Sequence, residues 1–347
     1  MKKVQVNASK SYNVLIGEGI LNDLPKFLKQ LKIKGKILIL SDKNVYSIYG
    51  NAVKNLLENA NFTCEKFLVK GGENSKSAKD YISVLEFLAT NEFTREDAIL
   101  ALGGGVVGDL SGFVSATYLR GIKFIQVPTS LLAAVDSSVG GKTAINLKSG
   151  KNLAGAFYQP SLVVCDTLLL NTLSEKEFSS GMAEVIKYGC IFDKGLLELL
   201  IDGMEKHTEE VIERCVTLKK SVVEKDEFDN GDRQLLNFGH TLGHAIEKQS
   251  NFKISHGQAV ALGMKIITEK CVKSGLCKGE VLENLISLMA KYNLNLELDI
   301  KLDKLLSTTL VDKKRKGNDI LVVIPKEIGK CVLKKYSLQD WEQFVLK

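Results

Sequence analysis

The chain has 347 residues, 45% hydrophobic and 25% charged, proportions of a soluble globular protein with two domains rather than one core. Aromatic residues make up 7% and the net charge is +6, with one basic block at Lys313-Lys314-Arg315-Lys316; this excludes an extended nucleic-acid surface and suits a small anionic substrate. No apolar run approaches the ~18 residues of a membrane span. Met1 to Asn7 lacks the apolar stretch of a signal peptide, and the seven scattered cysteines form no Cys-x-x-Cys, so a cytoplasmic protein with reduced thiols and no membrane partner is expected.

Lys36-Ile37-Leu38-Ile39-Leu40 reads as a buried strand, followed by a helical pattern through Val45, Val53 and Leu56-Leu57. Phe67-Leu68-Val69 is a second strand and Tyr81 to Leu88 a second helix. Ala98 to Leu102 is a third strand, running into a glycine-rich turn, and Phe124 to Val127 a fourth, ending at Pro128-Thr129-Ser130. This alternation predicts an α/β, Rossmann-like domain over residues 1–172 with a parallel sheet. Helical periodicity then dominates to about Leu310, with long segments at Leu196 to Lys225 and Gly279 to Tyr292. A strand pair, Ile320 to Ile324 and Lys330 to Leu333, precedes a last helix from Ser337 to Leu346. Residues 173–347 are thus expected to form a mainly helical domain, with the active site in the cleft between the two.

Gly103-Gly104-Gly105-Val106-Val107-Gly108-Asp109 has the form of a phosphate-binding turn, in which backbone N–H groups at a helix start attract a pyrophosphate. Ser41-Asp42 ends one strand, where a carboxylate could hold an adenosine ribose, and Gly71-Gly72-Glu73 follows the next; ligands of open α/β sheets collect at such strand ends. Gly140-Gly141-Lys142-Thr143 is not a Walker A loop, because Asp136 stands where its first Gly belongs. The stretch from Pro128 to Asn152 instead supplies Asp136, Lys142, Lys151 and Asn152, a set suited to an anionic polyhydroxy ligand.

Three of the four histidines, His240, His244 and His256, fall close together, each beside a glycine, which points to a metal or catalytic site. By spacing alone His240 and His244, four apart on one helix face, would be the metal pair. Glu184, in the apolar stretch Gly181-Met182-Ala183-Glu184-Val185-Ile186-Lys187-Tyr188-Gly189, is a partly buried carboxylate fit to complete a zinc shell of two imidazoles and one Glu.

In order, Gly104 to Asp109, Pro128 to Asn146, Gly181 to Gly189, Arg233-Gln234-Leu235-Leu236-Asn237-Phe238-Gly239-His240-Thr241 and His256-Gly257 resemble the 3-dehydroquinate synthase family of sugar-phosphate cyclases over essentially the whole chain. The resemblance implies a carbon–oxygen lyase converting a phosphorylated seven-carbon sugar acid, 3-deoxy-D-arabino-heptulosonate 7-phosphate, to 3-dehydroquinate and phosphate, a step of aromatic amino-acid biosynthesis. It implies NAD used catalytically, a Zn²⁺ or Co²⁺ ion and a homodimer. It reassigns the metal to Glu184, His240 and His256, leaving His244 for proton transfer or phosphate contact. Asp136, Lys142, Asn152, Lys187, Lys219, Arg233, Asn237 and one of Lys313 and Lys314 would surround the substrate, and Arg120 would reach the neighbouring subunit's site. The cofactor would meet Asp42, Gly71, Gly72, Glu73, Lys76, Gly104, Gly105, Val106, Val107, Gly108, Asp109, Thr129, Ser130, Asp136, Lys142, Lys151, Leu169 and Thr172.

The chain departs from the family pattern at Asp229 and Gln258, where Glu is usual, and at Ser174, where Pro is common. Two competing readings share the glycine turn and the metal: an NAD-dependent alcohol or glycerol dehydrogenase, which needs no cluster of cations on one ligand, and a sugar-phosphate cyclase with another product. A binding protein without catalysis is disfavoured by the complete metal set.

Overall fold

The computed structural model describes residues 1–314 and 319–346, with the side chains of 311–314 outside the described set. Two compact units emerge, one of Met1–Leu173 with Ile212–Phe228, the other of Ser174–Val211 with Asp229–Lys347.

The first unit is built on a seven-stranded sheet. Its strands are β1 (Lys2–Asn7), β2 (Ser11–Gly17), β3 (Ile37–Asp42), β4 (Cys64–Val69), β5 (Ala98–Gly103), β6 (Lys123–Pro128) and β9 (Leu162–Asp166), in the order β1-β2-β9-β6-β5-β3-β4. Only β1 is antiparallel to its neighbour. Both faces are covered: Ile37 and Ile39 face a core with Leu24, Leu28, Val53 and Leu57, while Leu38 and Leu40 face one with Val84, Leu88, Leu110 and Val114. A strand buried on both faces is uniformly apolar rather than alternating, which is why β3 and β5 stand out in the sequence. From β3 the chain goes outward to β4 and then crosses to β5 on the other side. The carboxyl ends of β3 and β5 therefore flank the point where strand order reverses.

Two hairpins were not anticipated. One is β1–β2; the other, β7 (Lys142–Leu147) with β8 (Gly150–Phe157), begins at Lys142-Thr143 and carries Lys151 and Asn152. Residues Ile212–Phe228, expected in the second domain, belong to the first unit because their polar side chains bond there. Lys2 Nζ is 2.6 Å from Glu213, Asn7 N donates to Glu224 at 2.6 Å, and Ser9 donates to Glu227 from N and Oγ at 2.7 and 2.6 Å.

The second unit centres on helix Glu175–Phe192, buried without interruption from Gly181 to Ile191. Helices His240–Gln249, His256–Lys273, Gly279–Lys291 and Leu302–Lys314 accompany it. The hairpin β10 (Asp319–Glu327) with β11 (Lys330–Ser337) and helix Leu338–Leu346 complete the unit. Trp341, fully buried, donates its indole N–H to Thr309 Oγ1 at 3.0 Å. Among the described residues no helix is long and apolar enough to cross a membrane.

Candidate active site

In the first unit, β5 delivers the chain to Gly104, the N-cap of helix Gly105–Thr117, which no side chain caps. The first N–H groups of an α-helix have no intrahelical acceptor, so this end favours a phosphate. Glycine is needed here for space: a Cβ on Gly105 would lie 3.0 Å from Ser137 Oγ, and one on Gly108 2.8 Å from Gln126 Oε1. Val106 is half-buried beside this turn while Val107 packs into the core. Thr129 N donates to Gly103 O at 3.1 Å and holds Thr129-Ser130 beside the glycines.

Asp42 ends β3, and its Oδ1 accepts from Asn44 N and Val45 N at 2.9 and 3.0 Å. A Cβ on Gly71 would lie 3.4 Å from Asp42 Cβ, whereas one on Gly72 would meet nothing, so the Gly71-Gly72-Glu73 turn passes close to Asp42 and then opens. Lys76, nearly buried, is ion-paired with Asp109. Burial pushes the Asp109 carboxyl up, against the opposing pull of Lys76. Asn146 Nδ2 donates to Glu73 at 2.7 Å and its Oδ1 accepts from Asn152 N at 2.9 Å, joining the strand-end turn to the β7–β8 hairpin. Tyr49 bonds the Leu169 carbonyl and Thr172 Oγ1, at 3.2 and 2.6 Å.

Among the residues expected to meet the substrate, Lys219 is buried against Asp136 as an ion pair. Lys142 is exposed at the start of β7, and Lys151 is half-buried in β8. Arg120 is exposed in a turn with φ of 67°.

In the second unit three helices bring together Glu184, His240 and His256. Glycine permits the approach. Gly257 comes so close that a Cβ would lie 2.0 Å from the Ser180 carbonyl oxygen, and one on Gly239, at φ of 79°, would lie 2.5 Å from Val260 O. His240 Nε2 and His256 Nε2 each lie 3.7 Å from Glu184 Oε1. The other ring nitrogens face acceptors: His240 Nδ1 is 3.2 Å from the Phe238 carbonyl, and His256 Nδ1 is 3.2 Å from Glu247 Oε2. With Nδ1 protonated in both rings, both Nε2 lone pairs turn toward one carboxylate oxygen.

Burial, then the charge of Lys187 and the two other imidazoles, holds His240 well below the ordinary histidine pKa. Burial also lowers His256, but its bond to Glu247 and the charge of Glu184 outweigh this and raise it. The Glu184 side chain is sealed from solvent; Lys187 forms an ion pair with Oε2, yet neither carboxylate oxygen has a hydrogen-bond partner of acceptable geometry among the described residues. A carboxylate this deeply buried needs a cation beside it, a role that Lys187 fills and that a divalent ion facing both Nε2 atoms could share. Two imidazoles and one carboxylate are donors suited to Zn²⁺ or Co²⁺. His244 is exposed, with its ring centroid 5.5 Å from that of His240; it forms a second convergent group with Glu247 and His256.

Arg233 is buried in the turn Asp232–Asn237, and Asn237 is exposed at its end. Lys313 and Lys314 end helix Leu302–Lys314, but their side chains lie outside the described residues.

Residues 66–180 match the N-terminal 3-dehydroquinate synthase family and residues 181–315 the C-terminal one. The 3-dehydroquinate synthase of Clostridium acetobutylicum is 41% identical over 353 aligned positions, covering 99% of each chain. The chain belongs to the 3-dehydroquinate synthase family. Its fold is also that of two solved structures of other enzymes. A 2-deoxy-scyllo-inosose synthase, complexed with carbaglucose-6-phosphate, NAD⁺ and Co²⁺, has a TM-score of 0.87 at 24% identity, covering 99% of each chain. The 2-epi-5-epi-valiolone synthase of Streptomyces hygroscopicus, with NAD⁺ and Zn²⁺ bound, has a TM-score of 0.88 at 23% identity, covering 99% of this chain and 98% of that one.

The three departures from the 3-dehydroquinate synthase pattern have local reasons. Gln258 both donates to Asn295 O and accepts from Asn295 N, which a carboxylate could not do. Asp229 sits at φ of 61°, a region that Asp tolerates better than Glu. Ser174 caps helix Glu175–Phe192 through Glu177 N at 3.3 Å. Sequence reasoning passed over Glu247. The signal was its place with His240 and His244 at i, i+4 and i+7, one face of a single helix.

Proposed function

We propose that this chain converts 3-deoxy-D-arabino-heptulosonate 7-phosphate to 3-dehydroquinate with release of phosphate, in the cytoplasm and as a homodimer. The observation that carries this reading is the sealed Glu184 carboxylate, ion-paired with Lys187 but without a hydrogen-bond partner among the described residues, facing two imidazole Nε2 atoms in a chain of this family. Glu184, His240 and His256 would hold a Zn²⁺ or Co²⁺ ion, and the uncapped helix start at Gly104-Gly105, with Asp42, Gly71-Gly72 and the Lys76–Asp109 pair, would hold NAD. When bound, the ion supplies a Lewis acid and NAD a reversible hydride acceptor.

The chain's own residues supply the rest. The Phe238 carbonyl would orient the His240 imidazole, so that its donor atom is placed before substrate arrives. The cations Lys142, Lys187, Lys219 and Arg233 would neutralise the phosphate and carboxylate of the substrate, with Asn152 and Asn237 donating to its hydroxyls. His244, exposed beside the His240 ring, would exchange a proton with the reacting groups or contact the phosphate. Arg120 would serve the neighbouring subunit. The test is product formation from the heptulosonate phosphate before and after chelation. Activity should vanish with chelator and return with Zn²⁺ or Co²⁺; full activity in metal-free protein would reject the assignment.

A further inference from the structure

Two of the proposed metal ligands are histidines, and their second nitrogens are held differently. His240 Nδ1 faces a neutral backbone carbonyl, that of Phe238, at 3.2 Å. His256 Nδ1 faces a carboxylate oxygen, Glu247 Oε2, also at 3.2 Å. The Glu247 side chain is only 6% exposed, whereas that of His256 is 35% exposed. A carboxylate buried that deeply is costly to keep in the fold, and the imidazole N–H is one partner that helps to compensate it. His256 has more freedom to turn than His240, because more of its side chain meets solvent, 35% against 13%.

We infer that Glu247 is a positioning residue of the metal site: it accepts the His256 Nδ1–H, fixes that tautomer and ring orientation, and so keeps Nε2 aimed at Glu184. Glu247 touches neither substrate nor ion in this arrangement and acts through His256. A carboxylate in this place also makes the imidazole a stronger donor than a carbonyl does, so His256 is the tighter of the two imidazole ligands. The alternative is that Glu247 is itself a ligand, since Glu247, His244 and His256 also converge and could take a second ion through His256 Nδ1. The two roles exclude each other at one atom, because Nδ1 cannot both carry the proton and bind an ion. This inference rests on the Glu184, His240 and His256 assignment.

The test measures Co²⁺ affinity and stoichiometry of the full-length protein, by competition with a chelator and by the visible absorption of the bound ion. Wild type is compared with Glu247→Ala, Glu247→Gln and Glu184→Ala. The expected result is one ion per chain, with Glu247→Ala binding Co²⁺ ~10–100-fold more weakly and an altered absorption band. Glu247→Gln should recover part of the affinity, because its amide oxygen still accepts from Nδ1–H. A purely structural role would lower the melting temperature of the apo protein without moving affinity or band. Unchanged Co²⁺ affinity in Glu247→Gln and Glu247→Ala, alongside loss in Glu184→Ala, overturns the role of Glu247 alone. Two ions in wild type and one in Glu247→Ala would make it a ligand and overturn positioning. Unchanged affinity in Glu184→Ala overturns the metal assignment and the inference together. Where Glu247→Ala does not fold, the nearly isosteric Glu247→Gln decides: several-fold weaker binding supports the role and wild-type binding rejects it.

Discussion

Lys187 forms an ion pair with Glu184 one turn away on the same helix, with side chains 1% and 0% exposed. The pair lies at the point where His240 and His256 converge, so Glu184 always has a cation beside it, and a divalent ion adds to or replaces that ammonium. Breaking a buried pair by removing one partner costs ~3–5 kcal/mol, because the other charge is left uncompensated. Lys187→Met should therefore lower the melting temperature of the metal-free protein. Added Zn²⁺ should then raise it by more than in wild type, because the ion supplies the missing charge. An equal Zn²⁺-induced rise in both proteins, measured by calorimetry, would separate Lys187 from the site.

His240 and His244 are distinguished by metal content. His240→Ala removes a ligand facing Glu184 and should lose metal and activity together. His244→Ala should keep near-normal metal while losing ~10²–10⁴-fold in rate, the range of a general acid or base. Metal analysis of both purified variants gives the answer, and equal metal loss in the two would restore the i, i+4 pair.

Gly257→Ala tests the close approach of helices His256–Lys273 and Glu175–Phe192. Its Cβ would meet the Ser180 carbonyl oxygen at 2.0 Å, a backbone atom that cannot turn aside. Overpacking of this kind costs ~1–3 kcal/mol, and the helices must separate, drawing His256 away from Glu184. Lower stability and weaker Co²⁺ binding are expected together. A stable variant with wild-type Co²⁺ affinity would contradict the packing argument.

The thiols should be inert. Burial pushes Cys165 and Cys190 up to about 12, and Cys64, Cys215 and Cys271 are buried too. The reactive thiolate is therefore nearly absent at neutral pH. A thiol reagent at pH 8 should label at most the half-buried Cys277 and Cys331 in the native protein and all seven cysteines after unfolding. Rapid labelling of five or more in the native state would contradict this burial.

Much of this arrangement was legible before the structure. β3 and β5 are apolar on both faces, so their short aliphatic runs and the glycine turn after β5 stood out. The histidine cluster was visible because each member is flanked by a glycine, which the structure explains by helix contact at Gly239 and Gly257. The β7–β8 hairpin was hidden because no residue of β8, Gly150–Phe157, is fully buried and its sequence is rich in glycine and alanine with no β-branched residue. The segment Ile212–Phe228 was assigned to the wrong side because an amphipathic helix shows which face is apolar, not which unit covers it. Spacing could not choose between His240 and His244, since that choice depends on where Glu184 arrives from another helix. Glu247 was missed because a lone carboxylate on a helix is usually solvated, and nothing local shows that this one is buried.

A cyclase of this kind takes a hydride from its substrate and returns it within one turnover. The most direct measurement supplies the heptulosonate phosphate with NAD far below substrate concentration, and follows inorganic phosphate and absorbance at the NADH wavelength in one sample. Phosphate should rise to many equivalents per NAD with no accumulating NADH, because each cofactor is restored before product leaves. Oxidation of the substrate with one NADH per turnover and no phosphate would contradict the account and favour a dehydrogenase.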